Sequence, residues 1–157
     1  MSDFFTADFF VQIFASLVAS VAFAVVFRTG PRHLPFAGIG GLVTYALYYL
    51  VAYFNPGVFL AAFLSTMFAA LFSECCARWR HAPAAVFLFP SIIPTVPGGG
   101  LYYTMRYLLS GEKEMMLYYL SQTMKVALGI AGGIVSVSVF VGVLYDIKKK
   151  RLYQTSN

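Results

Sequence analysis

Five times in 157 residues the chain passes through an apolar stretch of roughly 16 to 28 residues carrying at most one charge, and a helix needs about 20 such residues to cross ~30 Å of hydrocarbon. No other feature constrains the fold as strongly. The stretches cover residues 9–27, 36–54, 58–73, 84–109 and 118–145, which predicts an all-α integral membrane protein of about five transmembrane helices, with residues 1–157 forming a single transmembrane domain. A soluble fold is excluded by composition: 60% of residues are apolar and 11% charged, against about 25% charged in soluble proteins. Nothing is left over for a second, soluble domain.

Polar punctuation separates the stretches: RTGPRHLP after the first, the turn Asn55-Pro56-Gly57 after the second, ECCARWRHAP after the third and SGEKE after the fourth. With five crossings, Arg28, Arg32, Arg78, Arg80, Lys148, Lys149, Lys150 and Arg151 fall on one side, and Lys113 alone falls on the other. The positive-inside rule then puts the N-terminus outside and the C-terminus in the cytoplasm. A four-span arrangement, with residues 84–109 dipping in and returning, would place the KKKR tail outside. Tyr48, Tyr49, Tyr53, Tyr107, Tyr118 and Tyr119 fall toward the outer ends of their spans, as an aromatic belt would. The net charge of +5 is thus a topology signal, and no nucleic acid is expected as a partner. Asp3 and Asp8, with no Lys or Arg near them, are the wrong sign for a signal peptide, so the first stretch is expected to stay as a span.

The fourth stretch contains PSIIPTVPGGG. Pro90, Pro94 and Pro97 followed by Gly98, Gly99 and Gly100 break any continuous α-helix. A helix from residue 84 to 93 rises about 15 Å, half the hydrocarbon thickness, so the break falls near the midplane. Unpaired backbone at that depth must be buried in protein or line a wet cavity. A half-helix starting after the glycines would offer free N–H groups and a positive dipole end to an anion, with Thr95, Tyr102 and Thr104 adding hydroxyls. The plainer reading is a proline kink with a packing role. The triplet lacks the GK[ST] of a nucleotide-binding loop.

Two cations lie within apolar stretches: Arg106 beyond the break and Lys125 in the last one. Each is either at depth, and then functional, or snorkelling to the outer interface. No Asp or Glu lies inside any of the five spans, so a proton relay through this chain is missing and coupling would draw on another polypeptide. His33 and His81 sit in loops. Small-residue faces, Ala61-Ser65-Ala69-Ser73, Gly129-Gly133 and Ser16-Ser20-Ala24, allow close helix packing, inside the chain or with a partner. Adjacent Cys75 and Cys76 have no metal-ligand spacing, and no motif marks a nucleophile or paired carboxylates. The chain is not expected to be an enzyme, and no cofactor or metal is expected.

The segment FPSIIPTVPGGGLYYTM resembles the hallmark of the threonine/serine exporter family, whose small membrane-only subunits carry an IPxxPG core followed by an aromatic and a short helix. FRTGPRHLPFAGIGG is similar to that family's first cytoplasmic loop and the start of its second helix, and RWRHAP to the basic stretch before the broken span. The match at residue level covers Ile93, Pro94, Pro97 and Gly98, while the triplet is richer in glycine than the PG core. The resemblance implies one component of a two-component exporter in a bacterial inner membrane, working with a larger membrane subunit as a hetero-oligomer. Its substrates would be threonine and serine, or dicarboxylates such as succinate. The substrate-binding candidates are Pro94, Thr95, Pro97, Gly98, Gly99, Gly100, Tyr102, Arg106 and Lys125. The alternative is a non-transporting scaffold for the larger subunit.

Overall fold

The structure, a computed structural model, describes residues 7–55 and 57–155. Asp3 and the side chain of Asp8, on which the signal-peptide reading rests, lie outside that description, as do Pro56 of the second turn and the side chains of the KKKR tail. The described chain has six α-helices and no strand: α1 (Ala7–Val26), α2 (Leu34–Phe54), α3 (Val58–Arg80), α4 (Ala85–Ile92), α5 (Gly98–Ser110) and α6 (Lys113–Thr155), with 3₁₀ turns at Pro31–His33 and Ile93–Thr95. By length and composition four helices can cross a membrane, or five if α4 and α5, bent by 51° at their junction, count as one broken span instead of a re-entrant loop. The fold is the all-α membrane architecture expected from the apolar stretches.

Helix ends depart from the hydropathy boundaries. Expected to stop near residue 73, α3 runs on to Arg80, because ECCARWR is polar without being helix-breaking and Glu74 and Arg78 lie one turn apart, 3.9 Å between their charged atoms. What stops α3 is His81, which takes the left-handed conformation at φ 52°. The same ending closes α1 at Arg28 (φ 53°), where Thr29 N–H donates to the Ala24 carbonyl and Arg28 N–H to Val25, and closes α5 at Gly111 (φ 79°). Only Gly111 does so without a Cβ penalty, which is about 1–2 kcal/mol for other residues. Helix α6 begins at Lys113, five residues before the expected span, and continues through the basic tail.

Packing is governed by small residues. In α2, Gly40 faces the Ser91 hydroxyl of α4 and the Phe72 ring of α3, while Gly41 faces Ser20 of α1, and a Cβ at either would collide with those side chains. All three small-residue faces are used inside the chain: Ala61, Ser65, Ala69, Ser20 and Ala24 have no exposed surface, and Gly129 and Gly133 rest against the carbonyls of Phe59 and Phe63. Except at Ser20 and Thr66, the buried hydroxyls direct their protons into their own helices, as Thr44 does to Gly40 and Ser73 to Ala69, both at 2.7 Å.

Those glycine contacts also fix the register of α6. Gly129 meets Phe59 to Phe63 and Gly133 meets Phe63 to Met67, so α3 and α6 run parallel. Gly100 meets Thr123, and Tyr103 and Tyr107 stack on Tyr119 at 5.0 and 5.5 Å, so α5 runs antiparallel to the first part of α6. Helices α3 and α5 therefore lie end to end along α6. Roughly the first dozen residues of α6, about 18 Å, carry α5 and precede the contact with α3. By contrast, α4 sits among α1, α2 and α3.

Candidate functional site: the break in the fourth span

Each proline of the break removes a helical donor and frees the carbonyl four residues earlier. Pro90, inside α4, frees Val86, and Pro94 frees Pro90 itself. Pro94 shares a small cavity with Gln12, Ala15, Ser16 and Ala19 of α1 and Tyr45 of α2, residues halfway along their helices. Pro94 thus lies level with the middle of α1 and α2. Thr95 is buried and donates to the Ile92 carbonyl at 2.7 Å. Val96 is extended, Pro97 precedes α5, and the chain turns outward.

The glycines form the first turn of α5 instead of preceding it. Gly98 N–H donates to the Val96 carbonyl at 2.8 Å and Leu101 N–H to Pro97 at 3.1 Å, while the N–H groups of Gly99 and Gly100 have no partner among the described residues. The free donors are therefore two and lie within the glycine run, where the sequence suggested a half-helix starting after it. Apart from its chain neighbours and its own helix backbone, no described residue lies within 4 Å of a Cβ built on Gly98 or Gly99, whereas one on Gly100 would strike the Thr123 hydroxyl. An opening at Gly98 and Gly99 is the most distinctive feature of the break.

The remaining candidates divide. Tyr102, 63% exposed, lies beside the free N–H groups and packs edge-on to Tyr103 at 5.3 Å. Thr104 donates to Gly100 at 2.7 Å, so its proton, like that of Thr95, is held by its own helix. Arg106 is exposed, its guanidinium 5.9 Å from the Tyr107 ring, and about 12 Å along α5 from Gly98. Lys125 is exposed on α6, two residues past Thr123. The structure gathers Pro94 to Gly100 and Tyr102 at one place and leaves Arg106 apart from them.

Sequence reasoning did not connect Gln12, Ser16 and Tyr45 with the break. The signal was present: Gln12 is the one amide in the first apolar stretch, and Tyr45 donates to its Oε1 at 3.0 Å. Among the described residues no three His, Cys, Asp or Glu side chains cluster as metal ligands would.

The model of the family described as Threonine/Serine exporter, ThrE matches residues 12–141, which take in every helix that forms the bundle and the whole of the break. No curated protein and no solved structure matches the chain at a significant level. Apolar helices of spanning length, the IIPTVPG break at mid-height and a family match over most of the sequence agree: the chain belongs to the threonine/serine exporter family of membrane transport proteins.

Proposed function

We propose that this chain is the small membrane subunit of a two-component exporter of small carboxylate-bearing metabolites, threonine and serine or dicarboxylates such as succinate, and that its broken span lines the path. The observation that carries the reading is the start of α5, where two N–H groups without a partner among the described residues sit at glycines that no described residue of another element covers. A carboxylate is the common chemistry of these substrates, and a helix N-terminus favours it. A larger subunit completes the enclosure: α5 has α6 as its one extensive neighbour, and Leu101, Met105, Leu108 and Leu109 are more than half exposed along it. The partner also supplies the coupling residues, since the five apolar stretches of this chain lack Asp and Glu.

The test is transport of radiolabelled L-threonine, L-serine and succinate in vesicles holding this chain, the larger subunit, or both. Transport only by the pair is expected, and a transporting homo-oligomer of this chain alone would contradict the two-component reading. We place the N-terminus outside and the C-terminus in the cytoplasm of the bacterial inner membrane. Glu112→Cys, in the exposed turn before α6, should then react with an impermeant thiol reagent from the periplasmic face. Reaction from the cytoplasm alone would reverse that orientation.

A further inference from the structure

At the end of the bundle that carries Arg28, Arg32, Arg78 and Arg80, a cavity of about 340 Å³ opens between the end of α1 and the first half of α4. Its lining includes Phe27, Arg28, His33, Ala85, Phe89 and Pro90. A second cavity of about 250 Å³ lies further along α1, between it, Tyr45 of α2 and Pro94 in the 3₁₀ turn that follows α4. Gln12, Ser16, Ser20, Ala24 and Arg28 recur at four-residue intervals, so Gln12 to Ala24 share one face of α1 and Arg28 continues the line at its end. Gln12 and Ser16 line the second cavity, Arg28 lines the first, and Ser20 and Ala24, both fully buried, lie between. Ser20 Oγ has no hydrogen-bond partner among the described residues and packs at Gly41, next to the Pro90 carbonyl that Pro94 has freed. An apolar residue of the same size would fill that place without leaving a buried hydroxyl unpaired.

The first cavity is built for an anion. Arg28 is held in the left-handed region, where glycine is the ordinary choice, so a charged side chain is kept there against a backbone cost. Among the described residues no carboxylate pairs with it, and the ion pair present, Glu74 with Arg78, is on α3. His33 also lines the cavity, its ring edge-on to Phe87 at 5.3 Å, and its Nδ1, shielded from solvent, has no partner among the described residues. The N–H groups of Ala84 and Ala85, at the uncapped start of α4, are also unbonded among the described residues. The volume is at the small end of the ligand-pocket range of about 300–1,000 Å³, suited to a metabolite and too small for a peptide.

We propose that this cavity binds the carboxylate of a small solute through Arg28 and His33, and that the two cavities are vestibules of one route along the α1–α4 seam, closed between them at Ser20 and Pro90. The inference rests on the exporter reading and adds to it a binding site and a route. The test uses the complete complex in vesicles of phosphatidylcholine alone, with Cys75→Ser and Cys76→Ser removing the native thiols. Ala85→Cys should react with an impermeant thiol reagent from the basic side and Ala15→Cys from the opposite side. Saturating L-threonine, L-serine or succinate should slow the reaction at Ala85→Cys, about tenfold at a concentration ten times Kd. Arg28→Gln should remove that protection, and Arg28→Lys, which keeps the charge, should restore part of it. If the complex transports one of these solutes while Ala85→Cys reacts at the same rate with and without it, the cavity proposal is wrong and the exporter reading stands. Protection that persists in Arg28→Gln, or that needs added phosphatidylglycerol, overturns the proposed site. If none of the solutes is transported or protects, both readings fall.

Discussion

Gly41→Val is expected to prevent the bundle from forming. A Cβ on Gly41 collides with the Cβ and hydroxyl of Ser20, which is fully buried on α1, so it has no rotamer into which to retreat. Relief requires α1 and α2 to separate, and α4 leans on both. Inserting carbon into a well-packed core costs about 1–3 kcal/mol, and the two extra methyls of valine against neighbouring helices place this substitution at or above the top of that range. Thermal unfolding of the purified complex in nanodiscs measures it: the variant should yield little monodisperse protein, and what remains should melt well below the parent. Ser20→Gly in the same chain should recover part of the loss by returning the space from the other side. A Gly41→Val protein that melts with the parent would show that α1 and α2 are not packed as described.

Gly99→Val is expected to have the opposite profile, a normal fold with no transport. No described residue of another element lies within 4 Å of the added Cβ, and valine is a better helix former than glycine, so α5 loses nothing. The added bulk stands instead over the N–H groups of Gly99 and Gly100 and over the approach to them. A carboxylate that must come within hydrogen-bonding distance of that backbone is shut out. A scaffold role for this chain predicts otherwise, because any loss of transport would then follow loss of the complex. The two glycine substitutions thus separate what the protein needs for folding from what it needs for work.

Much of this was legible in the residues. Uncharged runs of spanning length give the spans, and three prolines with three glycines in an apolar run give the break. The glycines at 129 and 133, spaced four apart in the last stretch, announce a close helix contact, though not that Phe59 and Phe63 receive it. Hydropathy marks which segments enter a membrane and is silent on which segments become neighbours. For that reason the end-to-end arrangement of α3 and α5 on α6 was not visible, nor the meeting of Gln12, Tyr45 and Pro94. The continuation of α3 to Arg80 was missed because polarity ends a span without ending a helix. Ser20 was read as one small residue among others. Its unpaired hydroxyl is a property of the assembled seam and of no local sequence pattern.

The most direct test of a substrate path through the break is the initial rate of L-threonine transport by the reconstituted pair carrying Gly99→Val, set beside the pair carrying Gly142→Val. Both glycines are exposed, and a Cβ on either meets nothing within 4 Å among the described residues of other elements, but only Gly99 lies at the break. Transport abolished in Gly99→Val and near the parental rate in Gly142→Val, with the larger subunit retained equally by both, is the predicted result. Equal and undiminished rates in the two variants would contradict it and assign the path to the larger subunit.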